Sequence, residues 1–219
     1  MNWELFFNQF LNLLFGAGYA LWITLCAVVI GVVMGLVLAI MRMTSRKWLT
    51  LMAEAYIAAF RGTPMLVQIL LFYFTIFPAL GLSRLPAIYA GIAALGLNSA
   101  AYLGEIFRGG IQSIARGQTE AALSLGMSNY QVMRYVVLPQ ALANSLPAIG
   151  NEFITLIKDS SLLQAIAVPE LTYRSMLVAA RTYEYGTMYG GIAIFYFAMT
   201  FSISKFLGGL EKKMRAGYK

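Results

Sequence analysis

Apolar positions in this chain gather into long runs, and the polar positions fall mostly between them. Ala17–Met41, Leu85–Gly104 and Tyr185–Ser204 carry no charged residue. Each is long enough as a helix to cross ~30 Å of hydrocarbon. Two further stretches of similar length are interrupted. Leu51–Leu80 holds Glu54, Arg61 and Pro64, and the run from Tyr135 holds Pro139, Pro147 and Glu152. The pattern predicts an all-α membrane protein, one domain over residues 1–219. Its five spans fall at about 17–41, 51–80, 85–107, 135–157 and 185–208. The second is expected to be kinked where Arg61, Gly62, Thr63 and Pro64 interrupt it. Asn2–Leu14 alternates Phe, Leu and Asn at helical spacing and reads as a separate interfacial segment. Ser160–Pro169 is apolar but too short to cross.

Charge sharpens the picture. Only 11% of the 219 residues are charged, against about 25% in soluble domains. The net charge of +7 does not form one patch, so it is no nucleic-acid signal. Arg42, Arg46 and Lys47 follow the first run. Arg108, Arg116 and Arg134 lie between the third and fourth, and Lys205, Lys212, Lys213, Arg215 and Lys219 close the chain. With five spans, placing all three groups on the cytoplasmic face puts the N-terminus outside and the C-terminus inside. The opening Met-Asn-Trp-Glu has no basic n-region, so no signal peptide is expected. Cys26 is the only cysteine and there is no histidine. A disulfide framework is ruled out, and zinc or histidine-based catalysis is disfavoured. Gly31 and Gly35, and Gly186, Gly190 and Gly191, are small positions that suit close helix contact.

Residues Glu120–Pro139 are polar enough for water yet sit between lipid-scale runs. Two short helices are expected at about 116–135. Thr119 would cap the first, with Glu120 in its first turn, and Ala121, Ala122 and Leu125 would form one apolar stripe. Gly126 would end that helix, and Ser128 with Gln131 would open the next as a capping box. A membrane protein that displays such a turn is offering it to a soluble partner.

The candidate chemistry lies in the interrupted runs. Glu152 and Asp159 are seven residues apart, ~10 Å along one helix face. Carboxylates at membrane depth are costly unless paired or in a watery cavity. Either they receive a cationic ligand, or they are structural ion pairs, Glu152 with Arg61 and Asp159 with Lys158 or Arg61. Ser160 and Ser161 follow, and a serine there would cap a half-helix whose free N–H groups suit a carboxylate. An ordinary cap on a re-entrant helix is the alternative. Gln68 and Asn98 would hydrogen-bond either substrate or a neighbouring helix. The Arg61–Pro64 break is either a gate beside a pocket or a packed kink.

The spacing of Glu120-Ala121-Ala122, Gly126, Leu138 and Pro139 resembles the EAA loop of importer permeases in the ATP-binding-cassette (ABC) class, with Val136 where isoleucine is usual. RGTPMLVQ at 61–68, LNSAAYLGEIFRGG at 97–110 and LIKDSSL at 156–162 resemble the polar amino-acid branch of that class. The likeness runs from about residue 17 to the C-terminus. It implies the type I importer permease fold, a bacterial inner-membrane location, and a non-catalytic subunit. A second permease chain, the same or a close relative, would complete the translocation path. Two cytoplasmic ATPase subunits would bind ATP and magnesium, and an extracytoplasmic binding protein would deliver an amino acid. The resemblance implies coupling through Glu120, Ala121, Ala122, Gly126, Leu138 and Pro139. It implies a substrate pocket at Gln68, Asn98, Glu152, Asp159, Ser160 and Ser161. Members carrying glutamine can have a neutral residue at the Glu152 position, so the carboxylate leans toward arginine, lysine, ornithine or histidine; glutamine is the alternative. The chain has no GxxxxGK[ST] phosphate loop, so energy must come from another polypeptide. Of the other classes, a stand-alone secondary transporter fits poorly with the lack of an internal repeat. An intramembrane enzyme would have only a carboxylate pair to work with.

Overall fold

The computed structural model describes residues 2–216, with side chains to residue 213. Lys219 and the side chain of Arg215, both expected on the cytoplasmic face, lie outside the described residues. Helix α1 spans Trp3–Met43, α2 Lys47–Arg61, α3 Met65–Leu71 and α4 Ala87–Gln112. Two short helices follow, α5 (Arg116–Ser124) and α6 (Asn129–Val132). Then come α7 (Leu138–Asp159), α8 (Leu171–Thr182) and α9 (Tyr185–Ala216).

The interfacial segment expected at Asn2–Leu14 is not separate. It is the first third of α1, a continuous helix of 41 residues capped by Asn2, ~60 Å long. Nothing between Leu14 and Ala17 breaks the helix, and Phe6, Leu13 and Ala17 bury one side of it against Leu171 and Ile192. The opposite side of α1 exposes Leu25, Val29, Val33 and Ile40 at helical spacing, an apolar stripe fit for lipid.

Among the described residues, α1, α4 and α9 are long and apolar enough to cross a membrane. The second expected span is a bent pair rather than a kinked rod. Lys47–Arg61 and Met65–Ala79 meet at 104° and make a fourth span only if taken as one. Helix α7, the remaining expected span, has 22 residues, enough for ~33 Å. Its Gln140, Asn144, Asn151 and Glu152 leave it more polar than those three.

Two π-turns have a common cause. Phe72–Ile76 and Met133–Val137 each end two residues before a proline, Pro78 and Pro139. Proline lacks an N–H and its ring crowds the carbonyl four residues back, so the backbone widens to clear it. The second of these turns joins the polar segment to α7.

Helices α1 and α4 pack closely through small residues. A Cβ at Gly31 would lie 2.9 Å from Ser99 Oγ, and one at Gly35 3.0 Å from Leu103 Cβ. On α4, a Cβ at Gly96 would lie 2.8 Å from Ile30 Cβ. The expectation of close contact therefore holds for Gly31 and Gly35, and for Gly191, whose Cβ would meet Phe6. A Cβ at Gly186 would meet no neighbour within 4 Å elsewhere in this chain. A core of Ile23, Ala27, Ile69, Leu95, Leu156 and Leu163 ties α1, α3, α4 and α7 together. Between lipid-facing helices such contacts act by close packing rather than by escape from water.

Helix α8 is a feature that sequence reasoning missed. Its N-cap is Glu170, fully buried, whose carboxylate accepts the Thr172 and Tyr173 backbone N–H groups at 2.8 Å each and the Tyr196 hydroxyl at 3.0 Å. Burial pushes the Glu170 carboxyl above its ordinary range, and these donors pull it back. Arg174 fastens the same helix to α1, donating to Asn12 Oδ1 at 2.9 Å and to the Pro169 carbonyl at 2.8 Å.

Candidate functional site

Gly62, Thr63 and Pro64 end α2 and begin α3. Pro64 cannot donate, so carbonyls at the end of α2 lose helical partners. Gln68 and Asn98 supply them. Gln68 Nε2 donates to the Phe60 carbonyl at 2.7 Å, the Thr63 carbonyl at 3.1 Å and Thr63 Oγ1 at 2.8 Å. Asn98 Nδ2 donates to the Phe60 carbonyl at 3.2 Å and to Gln68 Oε1 at 3.0 Å. Both side chains are buried. Of the two readings open for this pair, hydrogen bonding to a neighbouring helix is the one the structure displays. These amides hold the bend.

The adjacent residue on α4, Ser99, turns to a different neighbourhood. Glu152 on α7 is buried at 9% exposure. The Ser99 hydroxyl and Asp159 are within electrostatic reach of its carboxyl. Ser99 Oγ is itself fully buried and makes no hydrogen bond of ordinary geometry. The ion pairs considered for Glu152 and Asp159 do not form. The ion pairs among the described residues are Arg42–Glu54, Arg42–Glu105 and Arg108–Glu105. Arg61 instead lies over the Tyr102 ring, 5.1 Å from its centre. An aromatic face is an adequate neighbour for a guanidinium, so Arg61 has no need of Glu152. Glu152 is left with no basic partner among the described residues.

The half-helix expected at Ser160 is corrected. Helix α7 runs straight into a 3₁₀ turn, Ser160–Ile166, with Asp159 and Ser160 both in helical conformation. The Ser160 N–H bonds the Leu156 and Lys158 carbonyls, and its hydroxyl, fully buried, donates to the Ile157 carbonyl at 2.7 Å. Ser160 therefore caps nothing and frees no N–H for a carboxylate. Capping requires an extended backbone at the serine, and a chain that tightens from α to 3₁₀ does not supply one. Ser161 is partly exposed on the same turn.

The polar turn forms much as expected, with two corrections. Helix α5 starts at Arg116 after Ala115, so Thr119 lies inside it and is not its cap. The stripe of Ala121, Ala122 and Leu125 also splits. Ala122 is buried with Val132 and Val137 against Ile111 and Ile114 of the α4 end. Ala121 and Glu120 are exposed, and Leu125 is 84% exposed. Gly126 has φ +82°. The Gly126 N–H bonds the Leu123 carbonyl and the Met127 N–H the Ala122 carbonyl, which is the paired closure of a glycine-ended helix. Ser128 and Gln131 make the capping box in both directions. Leu138 and Pro139 are half-buried in the first turn of α7. Leu125, Tyr130 and Tyr135 are left as exposed apolar side chains on a rigid, doubly capped turn.

Sequence reasoning also missed a charge cluster between α1, α2 and α4. Arg42 donates to Glu105 and, at 3.0 Å, to Glu54; Arg108 donates to Glu105 at 2.8 Å and to Gln112 at 2.7 Å. Arg42 could be read only as an orientation signal, because its partner Glu105 lies 63 residues away; Arg108 is three residues from Glu105, a pair that helical spacing allows.

Comparison with known proteins agrees with this arrangement. Residues 7–216 match the family described as the binding-protein-dependent transport system inner membrane component. The chain is 39% identical to the probable amino-acid ABC transporter permease YckA of Bacillus subtilis, covering 97% of this chain and 96% of that one. It is 35% identical to the glutamine transport system permease GlnP of Escherichia coli, covering 98% of each. A solved crystal structure of an amino acid ABC transporter with histidines matches at a TM-score of 0.90 and 43% identity, over 97% of this chain and 99% of that one.

Proposed function

Because the chain belongs to the family of inner membrane components of binding-protein-dependent transport systems, as an amino-acid ABC transporter permease, we propose that its cargo is a basic amino acid: arginine, lysine, ornithine or histidine. The observation that carries this reading is Glu152, buried in α7 with no arginine or lysine paired to it among the described residues. An uncompensated acid in that setting is stable in the charged form only when a cation arrives. Asp159, one face and two turns further on, adds a second negative group along the same wall. The amides of Gln68 and Asn98 hold the neighbouring bend in place, so they shape the path without reading the cargo. Ser160 and Ser161 form the tightened end of α7 next to Asp159.

Five spans with an outer N-terminus and an inner C-terminus complete the reading, in the cytoplasmic membrane of a bacterium. The Leu125–Tyr130 turn docks a cytoplasmic ATPase, which binds ATP and magnesium. A second permease chain closes the path, and an extracytoplasmic protein delivers the amino acid. Closure of the ATPase pair draws the turns together and opens the outer side; hydrolysis resets the inward-facing state.

A second reading, glutamine as cargo, is favoured by the likeness to GlnP. The solved relative with histidines favours the first. The experiment is ATP hydrolysis by the purified assembly, stimulated by each of the twenty amino acids with the binding protein present. Stimulation by basic amino acids above all others is expected. Stimulation by glutamine alone refutes the cargo assignment. Uptake driven by an ion gradient with no ATPase bound refutes the coupling.

A further inference from the structure

Asn98 and Ser99 are consecutive on α4 yet serve different neighbours. Asn98 is committed to the α2–α3 bend through Gln68 and Phe60. Ser99 is fully buried, and its hydroxyl makes no hydrogen bond of ordinary geometry to any group. A buried serine usually donates to its own helix, as Ser160 does here to Ile157. Ser99 does not. Leu95, one turn before it, shares a core cluster with Leu156 of α7, and Leu103, one turn after it, packs with Ile149, so Ser99 stands level with Glu152 between them; on its other side α1 carries Gly31. A Cβ at that glycine would lie 2.9 Å from Ser99 Oγ and 3.0 Å from Ser99 Cβ. Three helices thus meet at one hydroxyl, and the smallest residue stands where a side chain would push it away.

We propose that Ser99 is a positioning residue for Glu152: its hydroxyl, seated in the notch left by Gly31, donates to the carboxylate and fixes the direction in which the remaining oxygen meets a cationic cargo. This rests on the reading of Glu152 as the cargo acid. One donor to a carboxylate leaves the other oxygen free for an ammonium or guanidinium, which a basic partner such as arginine would not. A hydroxyl adds no charge, so it orients the acid without neutralising it. Gly31 is then part of the site although it never touches cargo, and its role differs from that of Gly35, which admits Leu103 and the Ala100 and Gly104 backbone but not Ser99.

The test is equilibrium binding of radiolabelled arginine and of glutamine to the purified assembly of permease and ATPase, with the binding protein left out. Ser99→Ala is expected to weaken arginine binding about five- to tenfold, the upper range for one ordinary hydrogen bond, and to change glutamine binding by less than about twofold. Gly31→Ala should give the same selective loss with Ser99 still present. In a Glu152→Gln background, Ser99→Ala should have no further effect on arginine. Equal weakening of both ligands by Ser99→Ala, or a full arginine loss that persists in the Glu152→Gln background, overturns the positioning role. If Glu152→Gln itself leaves the preference for arginine unchanged, the cargo reading has failed as well. If it abolishes the preference while Ser99→Ala and Gly31→Ala do nothing, only the role of Ser99 has failed.

Discussion

Glu105 and Glu152 are both partly or wholly withdrawn from water, and they are held in opposite ways. Glu105, near the end of α4, lies between Arg42 and Arg108 and is bonded by both. Glu152, in α7, is more deeply buried and faces a serine, an aspartate and no arginine. The first acid is satisfied by its own chain. It ties α1 to α4 and, through Arg42 and Glu54, to the first arm of the bend. The second has no arginine or lysine paired to it among the described residues. Burial alone does not separate a structural acid from a functional one; the presence or absence of a built-in cation does.

The same contrast separates the two ends of the molecule. The polar turn is closed by its own hydrogen bonds and shows an apolar surface, while Glu152 within the bundle has no arginine or lysine paired to it among the described residues. Changes at the turn should therefore destroy coupling and spare binding, and changes at the acid wall should do the reverse. The largest effect is expected for Gly126→Val. A β-branched residue at φ +82° costs ~1–2 kcal/mol and unseats Leu125. Hydrolysis stimulated by the loaded binding protein should fall to the basal level, with arginine binding to the assembly unchanged. Unaltered stimulation would show that the turn is not the coupling surface.

Next in size is Gln68→Leu, which leaves the Phe60 and Thr63 carbonyls and the Asn98 amide short of partners. A loss of about 2 kcal/mol is expected, read as a lower melting temperature of the purified assembly. The ratio of arginine to glutamine affinity should hold. A changed ratio would return Gln68 to the cargo site. The smallest effect is expected for Arg42→Gln at the partly exposed cluster, about 1 kcal/mol of stability, again without a change in preference.

What the sequence disclosed follows the range of the interactions involved. Gly126 and the Ser128–Gln131 box were legible because each is complete within a few residues. The bend at Gly62–Pro64 was legible because proline imposes it, but its 104° was not, since the angle depends on where Gln68 and Asn98 find acceptors. The Glu170 cap was hidden, because glutamate is an unusual N-cap and its third donor, Tyr196, is 26 residues away. Thr119 and Ser160 were misread for one reason. Each has a capping side chain, but the backbone there is already helical. Glu152 was visible as a candidate from its depth in a span, whereas its lack of a partner could be learned only from three dimensions.

The comparison of the two acids reduces to one measurement: arginine and glutamine affinities of the purified assembly carrying Glu152→Gln or Glu105→Gln, each with its melting temperature. The account predicts that Glu152→Gln weakens arginine binding about ten- to a hundredfold, leaves glutamine within about twofold and does not lower the melting temperature. Glu105→Gln should lower the melting temperature and leave both affinities unchanged. Loss of arginine preference in Glu105→Gln, or its retention in Glu152→Gln, would contradict the account.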